Sequence, residues 1–101
     1  MHVILWEFQA KKGREPEFER AYGPAGDWAR FFQRGEGYLG TTLLTGESGR
    51  GRYLTLDRWT SRGAYEAFRD ANAAEYAALD RRLEALTERE TWLGAFVETP
   101  P

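Results

Sequence analysis

Trp59, Tyr65, Asn72 and Tyr76 are the residues whose types and spacing could do chemistry. Between them they offer an indole N–H, two phenolic hydroxyls and an amide, groups able to hydrogen-bond a bound molecule and to move a proton. Trp59 ends an alternating stretch, Tyr53-Leu54-Thr55-Leu56-Asp57-Arg58-Trp59, that reads as a strand with Tyr53, Thr55, Asp57 and Trp59 on one side. Thr60-Ser61 then offers hydroxyls to cap a helix. Tyr65, Phe68, Asn72, Tyr76, Leu79, Leu83 and Leu86 recur every three or four residues, one face of a long helix that is apolar apart from Asn72. An aromatic strand end feeding an aromatic helix face makes either a pocket wall or a plain core whose polar tips find backbone partners.

The same choice applies to the residues around this group. Asn72 needs partners, since leaving an amide unpaired costs roughly 1–3 kcal/mol. It either faces a ligand or bonds its own backbone at a kink near Asn72-Ala73-Ala74. Trp28, Phe31 and Phe32 form a lid for an aromatic ligand or else pack, and the Gly23-Pro24 break in front of them makes a separate segment. Asp57 shares Trp59's face and is a candidate base, although the commoner fate of a strand-end carboxylate is to meet an arginine. Arg81, Arg82, Glu84, Glu88 and Glu90 read as a solvated helix end. The glycines from Gly46 to Gly51 have no Lys-Ser/Thr pair and no helix after them, so they suit a hairpin and not a phosphate cradle.

Composition narrows the classes. The 101 residues form one small domain, expected over 1–98 with a tail at 99–101. A formal charge of −2 with interspersed signs leaves no basic stripe for nucleic acid. No cysteine is present and His2 is the lone histidine, so thiol chemistry is out and an ordinary zinc or haem-iron ligand set is hard to build. No apolar run of about 18 residues suggests a membrane span, and the expected setting is the cytoplasm. Aromatics make up 15% of the chain, more than a single small core readily absorbs, so some rings are expected at a cavity or a partner.

The elements must place these residues. A strand near Val3–Phe8 is followed by a helix opened by Pro16 and interrupted at Gly23-Pro24. Two strands flank the glycine-rich turn, then come the long helix and a last strand near Trp92–Val97. This order predicts a ferredoxin-like α+β fold, βαββαβ, with a four-stranded antiparallel sheet, the first and third strands central and both helices on one face. The other face would leave apolar side chains in water, which predicts a homodimer through that face.

The stretch Tyr53 to Ser61, Tyr65-Glu-Ala-Phe68, Tyr76 and the run from Leu86 to Phe96 resemble the antibiotic biosynthesis monooxygenase superfamily. Trp6-Glu-Phe8, Lys11-Lys-Gly-Arg-Glu15 and Phe18 fit its first strand and helix. The resemblance implies a dimeric α/β barrel with a pocket in each subunit, and no cofactor. It implies cofactor-independent oxygenation of a small aromatic, phenolic or quinol substrate, by a Trp and a Tyr spaced like Trp59 and Tyr65. With Asn72 from the helix stripe these are the catalytic candidates, and Thr55, Trp28, Phe32, Phe68 and Tyr76 are the candidates for binding the substrate. Thr55 stands where the quinone-forming members carry an asparagine. The haem-degrading members need a histidine on the second helix, and none is there. The alternative is a dimeric protein that binds a small apolar ligand without turnover.

Overall fold

A computed structural model describes all residues, 1–101. Alternation of side chains builds the sheet. The central strands are β1, His2–Ala10, and β3, Arg52–Trp59, with β2, Tyr38–Thr45, and β4, Thr87–Val97, at the edges in the order β2-β3-β1-β4, all antiparallel. The β1–β3 register sets Ile4 opposite Asp57, Trp6 opposite Thr55 and Phe8 opposite Tyr53. One face of the sheet therefore carries these residues and Trp59 toward the helices. The expected ferredoxin-like α+β fold is the one observed.

Both helical layers are broken where the sequence carries a breaker. α1, Glu15–Tyr22, has Pro16 in its first turn and stops at Gly23. α2, Asp27–Phe32, begins after Gly26. A Cβ on Gly26 would run into the carbonyl oxygens of Arg20 and Ala21, so only glycine lets the two pieces close on one another. α3, Arg62–Ala71, is capped by the Ser61 hydroxyl, which accepts from the Ala64 N–H at 3.1 Å. At Asn72 the backbone leaves the helical region with φ −126°, and α4, Ala73–Leu83, starts anew before a 3₁₀ turn at Glu84–Leu86. The one long helix read from the periodicity is thus two helices and a turn. β4 also starts earlier than expected, at Thr87, and bulges at Leu93 between the Leu5–Gly94 and Trp6–Trp92 pairs.

Rings make up most of the core. Phe18 and Trp59 are fully buried, and Phe18 stacks on Tyr22 at 4.2 Å and on Tyr53 at 4.6 Å. Each such side chain contributes about 1.5–3 kcal/mol by leaving water. The opposite face of the sheet carries Leu5, Leu54, Leu56, Leu44 and Phe96, with Leu44 45% and Phe96 52% exposed. No helix covers that face. No helix is long and apolar enough to cross a membrane.

Candidate active site

A cavity of about 240 Å³ opens between the sheet and the helices. Its apolar wall is Trp6 and Phe8 from β1, Tyr22 from α1, Trp28 and Phe32 from α2, and Tyr76 from α4. Its polar groups are Thr41, Thr55 and Asp57 from the sheet, Arg69 from α3, Asp80 from α4 and Glu90 from β4. α2 and α4, the second pieces of the two interrupted helical layers, contribute Trp28, Phe32, Tyr76 and Asp80 to this wall, across from Thr55 and Asp57 on the sheet.

Of the eight residues assigned above to catalysis or substrate binding, Thr55, Trp28, Phe32 and Tyr76 stand in the wall, as does the candidate base Asp57. The other four do not. Trp59 is wholly buried beneath Phe32, Phe68, Tyr38 and Tyr65, with ring centroids 5.2–5.7 Å away, and its indole N–H has no partner. Phe68 is 4% exposed and packs on Trp59 and Phe31. Asn72 donates from Nδ2 to the Phe68 carbonyl at 3.0 Å, the local bond that a kink requires. Tyr65 is half-buried, and its hydroxyl accepts from Arg69 Nη1 at 2.8 Å. Arg69 in turn lies over the Tyr76 ring at 3.8 Å. Tyr65 therefore reaches the cavity only through Arg69.

Asp57 lies on the expected face but does not take the commoner fate of a strand-end carboxylate. No arginine meets it. Its Oδ1 accepts from the Thr41 hydroxyl at 2.6 Å, and that hydroxyl lies 2.5 Å from the Tyr38 hydroxyl. Burial lifts the Asp57 carboxyl to about 6, against the Thr41 hydrogen bond and the Arg58 charge, which both pull it down. Burial also pushes up the Tyr76 and Tyr22 hydroxyls. Glu90 is not part of a solvated helix end. It sits on β4 at the cavity rim, exposed as a side chain, with a carboxyl raised by partial desolvation and then by the Asp80 charge.

Arg69 had a signal in the sequence, since it lies four residues after Tyr65 and seven before Tyr76 on the same helical stripe. Trp6 and Phe8 follow Ile4 at the strand period of two and so share its face on β1. Thr41 had none, because its role depends on the β2–β3 register that sets it opposite Asp57. No group of three or more histidine or acidic side chains is arranged to hold a metal ion. The single histidine, His2, lies at the start of β1 against Tyr65 and outside the cavity wall, so these residues do not fit a haem site.

The family model for antibiotic biosynthesis monooxygenases matches residues 1–79. The chain belongs to this family. Among solved structures, SnoaB from Streptomyces nogalater, a cofactor-independent oxygenase, is 22% identical with a TM-score of 0.76, over 99% of this chain and 94% of its own. A Deinococcus radiodurans protein provisionally assigned to the antibiotic biosynthesis monooxygenases is 14% identical, with a TM-score of 0.76 over 100% and 95% of the two chains. MhuD, seen with two manganese protoporphyrin IX molecules in each active site, is 22% identical with a TM-score of 0.72 over 100% and 97%. At these identities the likeness is one of fold. No curated protein matches the chain.

Proposed function

We propose that this family member is a cofactor-independent monooxygenase that oxidises a small phenolic or quinol substrate in the cytoplasm. The observation that carries the reading is the cavity itself, where Thr55, Arg69 and Tyr76 line a space walled by aromatic rings. Its volume of about 240 Å³ falls just below the usual range of ligand pockets, about 300–1,000 Å³, which restricts it to a small aromatic. The family membership and the fold likeness to an oxygenase support the same reading.

A phenol and dioxygen give a quinone and water. One oxygen atom becomes the new carbonyl, and the other leaves as water with the hydroxyl proton and the displaced ring hydrogen. The electron-rich phenolate is the reductant, so the protein has to exclude water, orient the ring and handle protons. The rings of Trp28, Phe32, Trp6 and Tyr76 hold the substrate plane, and Thr55 hydrogen-bonds its oxygen. Arg69 faces the developing negative charge. Tyr65 and Asn72 act from behind: Tyr65 holds Arg69, and Asn72 maintains the break that turns Tyr76 inward. Trp59 and Phe68 support the floor. Two copies pair through the open sheet face, which covers Leu44, Leu56 and Phe96.

The test is oxygen uptake by metal-free protein with a panel of naphthols, anthrols and hydroquinones. Uptake above autoxidation, with quinone formed in equal amount, is the expected result. A panel with no uptake but with ligand-dependent quenching of tryptophan fluorescence would make the protein a binder of small aromatics.

A further inference from the structure

We propose that Asp57 is the proton acceptor of this site, taking the hydroxyl proton of a phenol bound in the cavity while Thr41 holds its other oxygen in place. The inference rests on the oxidation reading above and names the base that reading needs.

The geometry argues for it. Asp57 is 9% exposed, lines the cavity and makes no ion pair. Buried carboxylates in structural roles are ordinarily paired or fully hydrogen-bonded, because an unpaired charge in a poorly solvated site is destabilising. Here Oδ1 has the Thr41 hydroxyl and Oδ2 has no protein partner. The Tyr38 hydroxyl donates to Thr41, so that chain fixes the rotamer of the acid from the β2 side. An acceptor left open toward a ligand space, with its partner oxygen pinned, is the arrangement a general base needs.

The groups around it are consistent with that role. Arg69 faces the cavity from α3, Tyr76 and Asp80 from α4, Tyr22 from α1 and Glu90 from the rim, while Arg58 is its neighbour along β3 on the other face. β1 presents Ile4 and Trp6 there and adds no charge. With its carboxyl at about 6, Asp57 is ionised at neutral pH and basic enough to take a proton. In the step the phenol O–H bond breaks and its electron pair stays on the substrate oxygen. A new O–H bond forms at Oδ2, and the negative charge moves from carboxylate to phenolate. After dioxygen has added to the ring, the same proton passes to the peroxide and leaves in the water that departs.

The test uses 4-nitrophenol, a phenol too electron-poor to be oxidised and coloured only as its anion. In the wild-type protein the Asp57 carboxylate opposes a second anion beside it, so the apparent pKa of bound nitrophenol rises by ~1 pH unit over its value in Asp57→Asn. With an oxidisable naphthol, Asp57→Asn lowers kcat/KM at pH 8 by about 10²–10⁴ and abolishes its acid limb. Equal nitrophenol pKa values in the two proteins would overturn the proposal, whatever the turnover. A wild-type shift without oxygen uptake by any phenol keeps Asp57 as the proton partner and removes the oxidation reading. Failure of any phenol to bind removes both. Thr41→Val is the second variant: loss of its hydrogen bond raises Asp57 further, so the acid limb moves to higher pH. An unmoved limb overturns the proposal.

Discussion

Arg69 holds its guanidinium carbon 3.8 Å from the centre of the Tyr76 ring, so a cation on α3 caps an aromatic face on α4 across the Asn72 break. The contact ties two helices that share no backbone hydrogen-bond ladder and sets the cavity wall between them. Arg69→Gln keeps most of the side-chain reach and removes the charge. It is expected to lower stability by about 0.5–2 kcal/mol in thermal melts and to reduce oxygen uptake at least tenfold.

Tyr65→Phe deletes the acceptor for Arg69 Nη1 and leaves the ring packing on Trp59 in place. Its stability cost should stay below about 1.5 kcal/mol, because Tyr65 is half-buried and the guanidinium can turn to water. Oxygen uptake should fall as it does in Arg69→Gln, and the double variant should be no worse than either alone. Additive losses in that cycle would give Tyr65 a contact with substrate of its own.

Trp59→Phe separates floor from wall. The indole N–H has no partner to lose, so the effect is one of volume, about 1–3 kcal/mol of stability. Oxygen uptake by the variant below its melting temperature should stay within about threefold of wild type. A loss of several hundredfold at unchanged stability would put Trp59 into the chemistry.

Asp57 gives the fold a pH dependence. Its carboxyl is raised from 3.8 to about 6 on folding, so between those values the folded chain binds more protons than the unfolded one. Stability from this group is full below pH 4, falls as pH rises through 6, and is constant above that. Asp57→Asn still offers Thr41 an acceptor oxygen and carries no charge. It should be more stable than wild type by about 2–3 kcal/mol at pH 8, with the difference vanishing near pH 4. Denaturant titrations at several pH values give the comparison directly.

Phe96→Asp places a charge on the uncovered sheet face near the end of the edge strand β4, where the ring is 52% exposed and lies opposite Val3. In analytical ultracentrifugation the wild-type chain should sediment at twice the chain mass and this variant at the chain mass, with its circular dichroism unchanged.

The first interruption was legible in the sequence: Gly23-Pro24 breaks its helix as a proline must, and Tyr53 to Trp59 alternates as read, whereas the kink allowed at Asn72 is a full break between two helices. Which residue of that alternation faces a ligand was not legible. Period two puts Thr55, Asp57 and Trp59 on one face alike, and only the landing place of α2 and α3 decides that Trp59 is roofed over while Thr55 and Asp57 line the cavity. Glu90 was misread for a related reason. Thr87-Glu88-Arg89-Glu90-Thr91 looks like a charged helix end, yet charge is also how an exposed edge strand avoids pairing with strangers. The polar alternation there carried the strand, and the aromatic Trp92 drew the boundary too late.

The rings that wall the cavity are also the rings that hold the chain together: Tyr22 stacks on Phe18 and Phe32 meets Trp59 edge to face, and both also line the cavity. Specificity and fold integrity are therefore inherited together. A lineage under selection for a larger substrate would have to trim side chains that support the melting temperature, so new preferences should arise first at the rim, around Glu90 and Asp80, where a change in appetite leaves the architecture alone.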